Sequence, residues 1–192
     1  MKNTSIRRVS NVFLGMVLIG LITSLPVFSQ EKPLSKWGVE TDLLAWRIGK
    51  FPKSFYLGAW YGRGHLKFEA AVGHLDLVEN HTPDHFISDQ SWIANVKCSY
   101  FFHQGFKHFW IGPSLLYEHA DLVSKENFSS TIEYWSLGFS TGYLFSIKDV
   151  VYFGPSVQVH FPLSKLDYVV EPGNTYTVPW SLEPGWRIGI SL

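Results

Sequence analysis

Cysteine is almost absent from this 192-residue sequence: Cys98 stands alone, which excludes an internal disulfide and any cysteine-rich zinc site. Net charge is absent as well. Lys+Arg 16 cancel Asp+Glu 16, so there is no basic excess with which to grip a nucleic-acid backbone, and no nucleic-acid partner is expected. Charged residues make up only 17% of the chain, and beyond residue 29 no apolar run is long enough for a transmembrane helix. Sustained helical spacing is missing too, which leaves strands as the main building element of one domain. What the sequence holds in quantity is rings: Trp 8, Tyr 9 and Phe 15, or 17% aromatic. A chain so rich in large rings has surfaces where they serve a special use.

The first 29 residues read as a cleavable export signal, with Lys2, Arg7 and Arg8 as the basic region and Val12 to Leu25 as the apolar one. Val27 and Ser29 supply small residues for cleavage, and no Cys follows for a lipid anchor. The mature domain is expected to span 30–192 and to carry 13 basic against 16 acidic groups, since three of the 16 basic residues lie in the leader.

Alternation and turn signals place eight strands near Trp37 to Trp46, Ser54 to Gly62, His65 to Leu75, Ser91 to Phe102, His108 to Glu118, Thr131 to Phe145, Val150 to Phe161 and Leu182 to Leu192. The connections Gly62 to His65, His103 to Lys107 and Ser146 to Asp149 are short. Asp76 to Gln90, His119 to Ser130 and Pro162 to Pro179 are long, with Gly49 to Lys53 the one short link on their side. Short turns at one end and long loops at the other are the mark of an eight-stranded antiparallel up-and-down transmembrane barrel.

The two faces of each strand differ in chemistry. Strand four presents Trp92, Ala94, Val96, Cys98, Tyr100 and Phe102 on one face and Ile93, Asn95, Lys97, Ser99 and Phe101 on the other. Strand seven opposes Val151, Phe153, Pro155, Val157, Val159 and Phe161 to Tyr152, Gly154, Ser156, Gln158 and His160. Only Glu133 puts a charge on the apolar face. The strand glycines fall on the mixed face, beside the large rings Trp46, Tyr56, Trp60, Trp110, Tyr134 and Tyr152, as filling a narrow eight-stranded lumen requires. The apolar face is therefore expected to look into lipid. A lipocalin-like ligand-binding barrel would reverse the pattern, and its Gly-x-Trp signature is missing, since Trp37-Gly38 runs in the opposite order.

Rings on the apolar face form two bands, an aromatic girdle at each interface. Trp37, Tyr61, Tyr100, Phe102, Phe109, Tyr143, Phe145 and Phe153 lie toward the short turns, and Phe55, Trp92, Tyr117, Trp135 and Phe161 toward the long loops. A repeat is also visible: Tyr100-Phe101-Phe102 leads to Ile111-Gly112-Pro113-Ser114 as Tyr143-Leu144-Phe145 leads to Phe153-Gly154-Pro155-Ser156. Pro113 and Pro155 are expected at bulges, because proline cannot donate to a ladder.

With these features the chain resembles the small eight-stranded outer-membrane barrels of the OmpA and OmpX type over nearly all of residues 30–192. Its mixture of Trp, Tyr and long polar loops also resembles barrels of Bacteroides-like bacteria. The segment Gly185-Trp186-Arg187-Ile188-Gly189-Ile190-Ser191-Leu192 is similar to the terminal strand that the outer-membrane insertion machinery recognises, with Leu192 where family members usually have Phe. The resemblance implies a monomer in the outer membrane of a Gram-negative bacterium, in contact with lipid and lipopolysaccharide.

Candidate chemistry lies in the lumen and the loops. Glu40, Asp42, Lys67, Glu69, Lys97 and Arg187, with Glu118 and Glu183, form a mixed-sign lumen set. An ion isolated in so narrow a space is very costly, so pairing into a plug is expected. Arg187 is expected on Glu40 or Asp42, with a second pairing among Lys67, Glu69 and Lys97. A metal site would draw on His81, His85 and His119 near Glu79, although Pro83 keeps His81 and His85 off a shared helix face. A lipid-modifying enzyme would need a nucleophile on the lipid side, yet no His-x-Ser occurs and no nucleophile stands beside His74. No catalytic residue and no cofactor are therefore expected. Function falls to the long loops, where Phe86, Phe128, Tyr168 and Tyr176 are candidate contact rings for adhesion or another surface interaction.

Overall fold

The computed structural model describes residues 35–48, 53–76, 86–124, 128–163, 167–171 and 174–192; the leader segment 1–29 lies outside them. Eight strands close into an antiparallel barrel: β1 (Ser35–Asp42), β2 (Phe55–Arg63), β3 (Leu66–Asp76), β4 (Phe86–His103), β5 (Lys107–Ser124), β6 (Ser129–Ile147), β7 (Val151–Pro162) and β10 (Ser181–Ser191). Each pairs with its sequence neighbour, and β10 closes on β1 from Gly38 opposite Ser191 to Asp42 opposite Arg187. Closure removes both sheet edges, so every strand in the wall has two neighbours to satisfy its backbone.

Alternation decides the facing, since successive side chains in a strand point to opposite sides. Glu40, Trp60, Lys67, Glu69, Lys97, Trp110, Tyr152 and Arg187 are buried inside. Trp37, Phe68, Val96, Leu137, Phe161 and Leu182, each more than half exposed, stand outside with many other apolar side chains. On β4 the outward apolar run from Trp92 to Phe102 covers ten residue steps. At ~3.4 Å per step and a tilt of about 40° that is a belt roughly 26 Å tall, matching the apolar height of outer-membrane barrels. Such an exterior, wrapped around an ionic interior, belongs in hydrocarbon.

Four features depart from the sequence reading. The first strand stops at Asp42, and Leu43–Ile48 form a short helix, α1, that carries Trp46 out of the wall. Alternation lapses where Leu43 and Leu44 follow one another, and Asp42 Oδ1 accepts the Leu44 N–H at 2.9 Å as a helix N-cap. Next, β5 and β6 run on through most of the expected His119 to Ser130 loop, because Ala120, Leu122 and Ile132 keep an apolar inner face that packs against Tyr134 and Val178. Third, the span Pro162 to Pro179 holds a hairpin of its own, β8 (Asp167–Glu171) and β9 (Asn174–Thr177). Finally, Pro113 and Pro155 sit at gaps in pairing, between Lys97↔Ser114 and Tyr100↔Ile111 and between Gly142↔Ser156 and Phe145↔Phe153. The register is the same on both sides of each gap, so neither is a bulge; the missing proline N–H simply leaves a rung open.

The short-turn mouth is stopped by a ring. Phe106 adopts φ 59, in the left-handed region that costs a non-glycine residue, and this turns its side chain into the barrel against Trp60 (5.5 Å between ring centres) and Phe101 (5.6 Å). Asp149, in the turn between β6 and β7, has its carboxyl held below the usual range by the hydrogen bond and charge of Lys107.

Gly142 illustrates how tightly the lumen is filled. A Cβ there would lie 2.6 Å from the Pro155 carbonyl oxygen and 2.9 Å from the Trp110 ring, so backbone or a fully buried ring would have to move. Gly142→Ala is expected to destabilise by about 1–3 kcal/mol, the usual cost of overpacking, and to lower the temperature at which the folded gel band of the detergent-solubilised protein converts to the unfolded one. An unchanged conversion temperature would show that the lumen has slack at this level.

Candidate functional site

The lumen is layered. Toward the short turns, Trp60, Phe101, Phe106, Trp110, Leu144 and Tyr152 form a buried cluster. These side chains come from β2, β4, β5, β6, β7 and the turn before β5, so five strands meet in one apolar layer built of five rings and Leu144.

An ionic layer rests against this cluster. Glu40 on β1 receives Lys67 Nζ from β3 and Arg187 Nη1 from β10, and the Tyr152 hydroxyl donates to it at 2.7 Å. Glu69 on β3 lies 3.0 Å from Arg187 Nη1, 2.7 Å from Lys97 Nζ and 3.8 Å from Lys67 Nζ. All five side chains are 1–3% exposed. Cations also lie over rings: Lys67 Nζ is 4.8 Å from the Trp60 ring centre, Lys97 Nζ 5.3 Å from Trp110, and Arg187 Cζ 5.2 Å from Trp110. Each buried charge thus has an opposite charge, a ring or both.

Of the sequence-derived set, Glu40, Lys67, Glu69, Lys97 and Arg187 meet in one connected network, with Arg187 and Lys67 each joining the two carboxylates. Asp42 stands opposite Arg187 in register, but its Oδ1 takes backbone N–H groups of Leu44 and Trp186 (3.0 Å), fastening α1 to β10. Glu118 accepts the Tyr134 hydroxyl at 2.5 Å, and Glu183 accepts the Ser181 hydroxyl at 2.8 Å; both belong to the upper lumen, apart from the network.

Above the ionic layer, at the long-loop end, the lumen opens into a cavity of about 450 Å³. Its lining includes Tyr56, Asn95, Leu116, Gln158, His160 and Glu183, with α1 contributing Leu44 and Ala45. Sequence reasoning put Asn95, Gln158 and His160 on the mixed face but did not single them out. Their parity was the only signal available.

The loop candidates are dispersed. Phe128 is exposed next to the start of β6, whereas Phe86 belongs to β4, opposite Ser124, rather than to a loop. Tyr168 and Tyr176 pair across the β8–β9 hairpin. Trp180, 62% exposed just before β10, is a further ring at this end that the sequence reading passed over. His81 and His85 lie outside the described residues. His119 is on the outer wall, its Nδ1 2.8 Å from Glu133 Oε1, and among the described residues no three His, Cys, Asp or Glu side chains gather to hold a metal.

Outer-wall rings contact one another at both ends: Tyr100–Phe102 (5.4 Å), Phe102–Phe109 (5.4 Å), Tyr143–Phe145 (4.9 Å) and Phe145–Phe153 (5.6 Å) near the short turns, and Phe55–Trp92 (6.1 Å) and Tyr117–Trp135 (5.1 Å) near the long loops.

A closed eight-stranded meander with an apolar wall and an ion-filled lumen is the fold of an outer-membrane β-barrel. The structure is similar to the N-terminal β-barrel domain of Pseudomonas aeruginosa OprF, with a TM-score of 0.52 and 11% identity over 84% of this chain and 100% of that one. Neisserial surface protein A also matches, at a TM-score of 0.44 and 12% identity over 82% of this chain and 90% of that one. No protein-family model matches the sequence, and no curated protein matches it either.

Proposed function

We propose that the protein is a monomeric, non-enzymatic barrel of the Gram-negative outer membrane, acting as an anchored scaffold that presents its long-loop end for adhesion or another surface interaction. The observation that carries this reading is the lumen itself, blocked by an ionic layer on top of an aromatic one. Such a filling supports a wall rather than a pore. Residues 1–29 would direct export and be removed, the rings of the outer wall would sit at the two interfaces, and β10 would be the strand engaged by the insertion machinery. Lipid and lipopolysaccharide would surround the belt. At the long-loop end, Phe128, Trp180 and the β8–β9 hairpin with Tyr168 and Tyr176 offer the surface for a partner.

Purified protein in planar bilayers is expected to show little conductance. Large, stable single-channel steps from the unmodified chain would refute the scaffold reading in favour of a channel. For the presented surface, photo-crosslinking groups placed at Phe128 and Trp180 on intact cells are expected to capture an external component, while the same group at Lys148, in a short turn, should not. Equal capture at both ends would refute the orientation.

A further inference from the structure

The upper-lumen cavity is lined by polar atoms that no described residue satisfies. Asn95 (4% exposed), Gln158 (8%) and His160 (2%) all border it, and Asn95 Oδ1, Gln158 Oε1 and both ring nitrogens of His160 find no hydrogen-bond partner among the described residues. Buried polar atoms are hydrogen-bonded as a rule, so three such side chains on one cavity mark a place shaped for something polar. The volume, about 450 Å³, lies within the range of sites that enclose small organic molecules.

The lining also specifies a sign of charge. Asp42, Glu118 and Glu183 border the cavity, and among the described residues no Lys or Arg does. Asp42 is engaged by backbone N–H groups and Glu118 by Tyr134, while Glu183 is half exposed, with its Oε2 3.8 Å from His160 Nε2. The orphaned amide oxygens are acceptors as well, so the wall asks for a donor-rich, positively charged guest. Leu75, Ile93 and Leu116 supply apolar surface within the same space.

We propose that this cavity binds a small organic cation, an amine or guanidinium with a compact apolar body. Glu183 supplies the countercharge, Asn95 Oδ1 and Gln158 Oε1 accept hydrogen bonds from the charged head, and the body lies against Ile93 and Leu116. An anion is disfavoured by the carboxylates, and a purely apolar guest would leave the amides and His160 unsatisfied.

Titration calorimetry on the full-length, detergent-solubilised barrel tests this with four probes: tyramine, agmatine, the neutral 4-ethylphenol and the anion 3-(4-hydroxyphenyl)propionate. At least one of the two cations should saturate a single site, and the neutral and anionic probes should bind at least tenfold more weakly. Glu183→Gln and Gln158→Leu should each weaken the bound cation at least tenfold, with the heat-dependent gel shift confirming that both variants are folded. Glu133→Gln, on the outer wall, should leave binding unchanged and so separates lumen from surface. Three results would overturn the proposal: no heat from any probe, meaning a pocket for water only; equal binding of the anion; or binding indifferent to both lumen variants.

Discussion

Replacing Arg187 by Ala should lower the stability of the folded barrel by about 3–5 kcal/mol, the cost of taking one partner out of a buried ion pair. Arg187 is 2% exposed and its Nη1 group faces both Glu40 and Glu69, so its loss deprives two buried carboxylates at once. Lys67 and Lys97 remain, which keeps the expected loss from exceeding the single-pair range. A double variant, Arg187→Met with Glu40→Gln, should lose less than the sum of its single variants, because the charge left behind is then removed too. Urea titration in detergent, followed by tryptophan emission and by the heat-dependent gel shift, reads both quantities. If Arg187→Ala unfolds at the same denaturant concentration as the parent, the ionic layer is not what holds the lumen together.

The second large effect concerns the outside. Val96 is 53% exposed near the middle of the belt on β4, between Ala70 of β3 and Leu115 of β5. On a water-soluble protein, Val96→Arg at so open a position would be close to neutral. With hydrocarbon as the solvent the same change costs ~2–4 kcal/mol at mid-depth, and the penalty fades toward the interfaces. Ser129→Arg, exposed at the tip of the β5–β6 hairpin, is the matched control and should be tolerated. Folding yield into phospholipid vesicles should therefore fall for Val96→Arg and hold for Ser129→Arg. Equal yields would mean that the apolar wall is covered by something other than lipid.

Much of this architecture is legible in the chain itself, since side-chain direction in a strand is a local property. Knowing that Lys97 lies between Val96 and Cys98 suffices to send Lys97 to one face and its neighbours to the other, and eight repetitions distinguish the filled side from the lipid side. The spacing of turns around Gly64, Gly105 and Asp149 likewise sets the meander and its short-turn end.

Local direction does not reveal which inward groups share a level. That depends on the stagger between strands and on closure, which set Asp42 opposite Arg187 and Glu69 opposite Lys97, and which bring Glu40 and Glu69, 29 residues apart, onto one guanidinium. Asp42 shows the limit most clearly. Its parity marks it as a lumen carboxylate, yet the lapse of alternation at Leu43 and Leu44 ends the strand beside it, and two backbone N–H groups reach it before any cation does. The upper cavity is decided the same way: Asn95 of β4 and the pair Gln158 and His160 of β7 lie more than sixty residues apart in the chain, and only the curvature of the closed wall leaves space between them. Local geometry was enough to set the eight wall strands, their order and the chemistry of each face. The partners within the lumen and the space above them follow from closure, because they rest on distances across the barrel that no neighbouring residue controls.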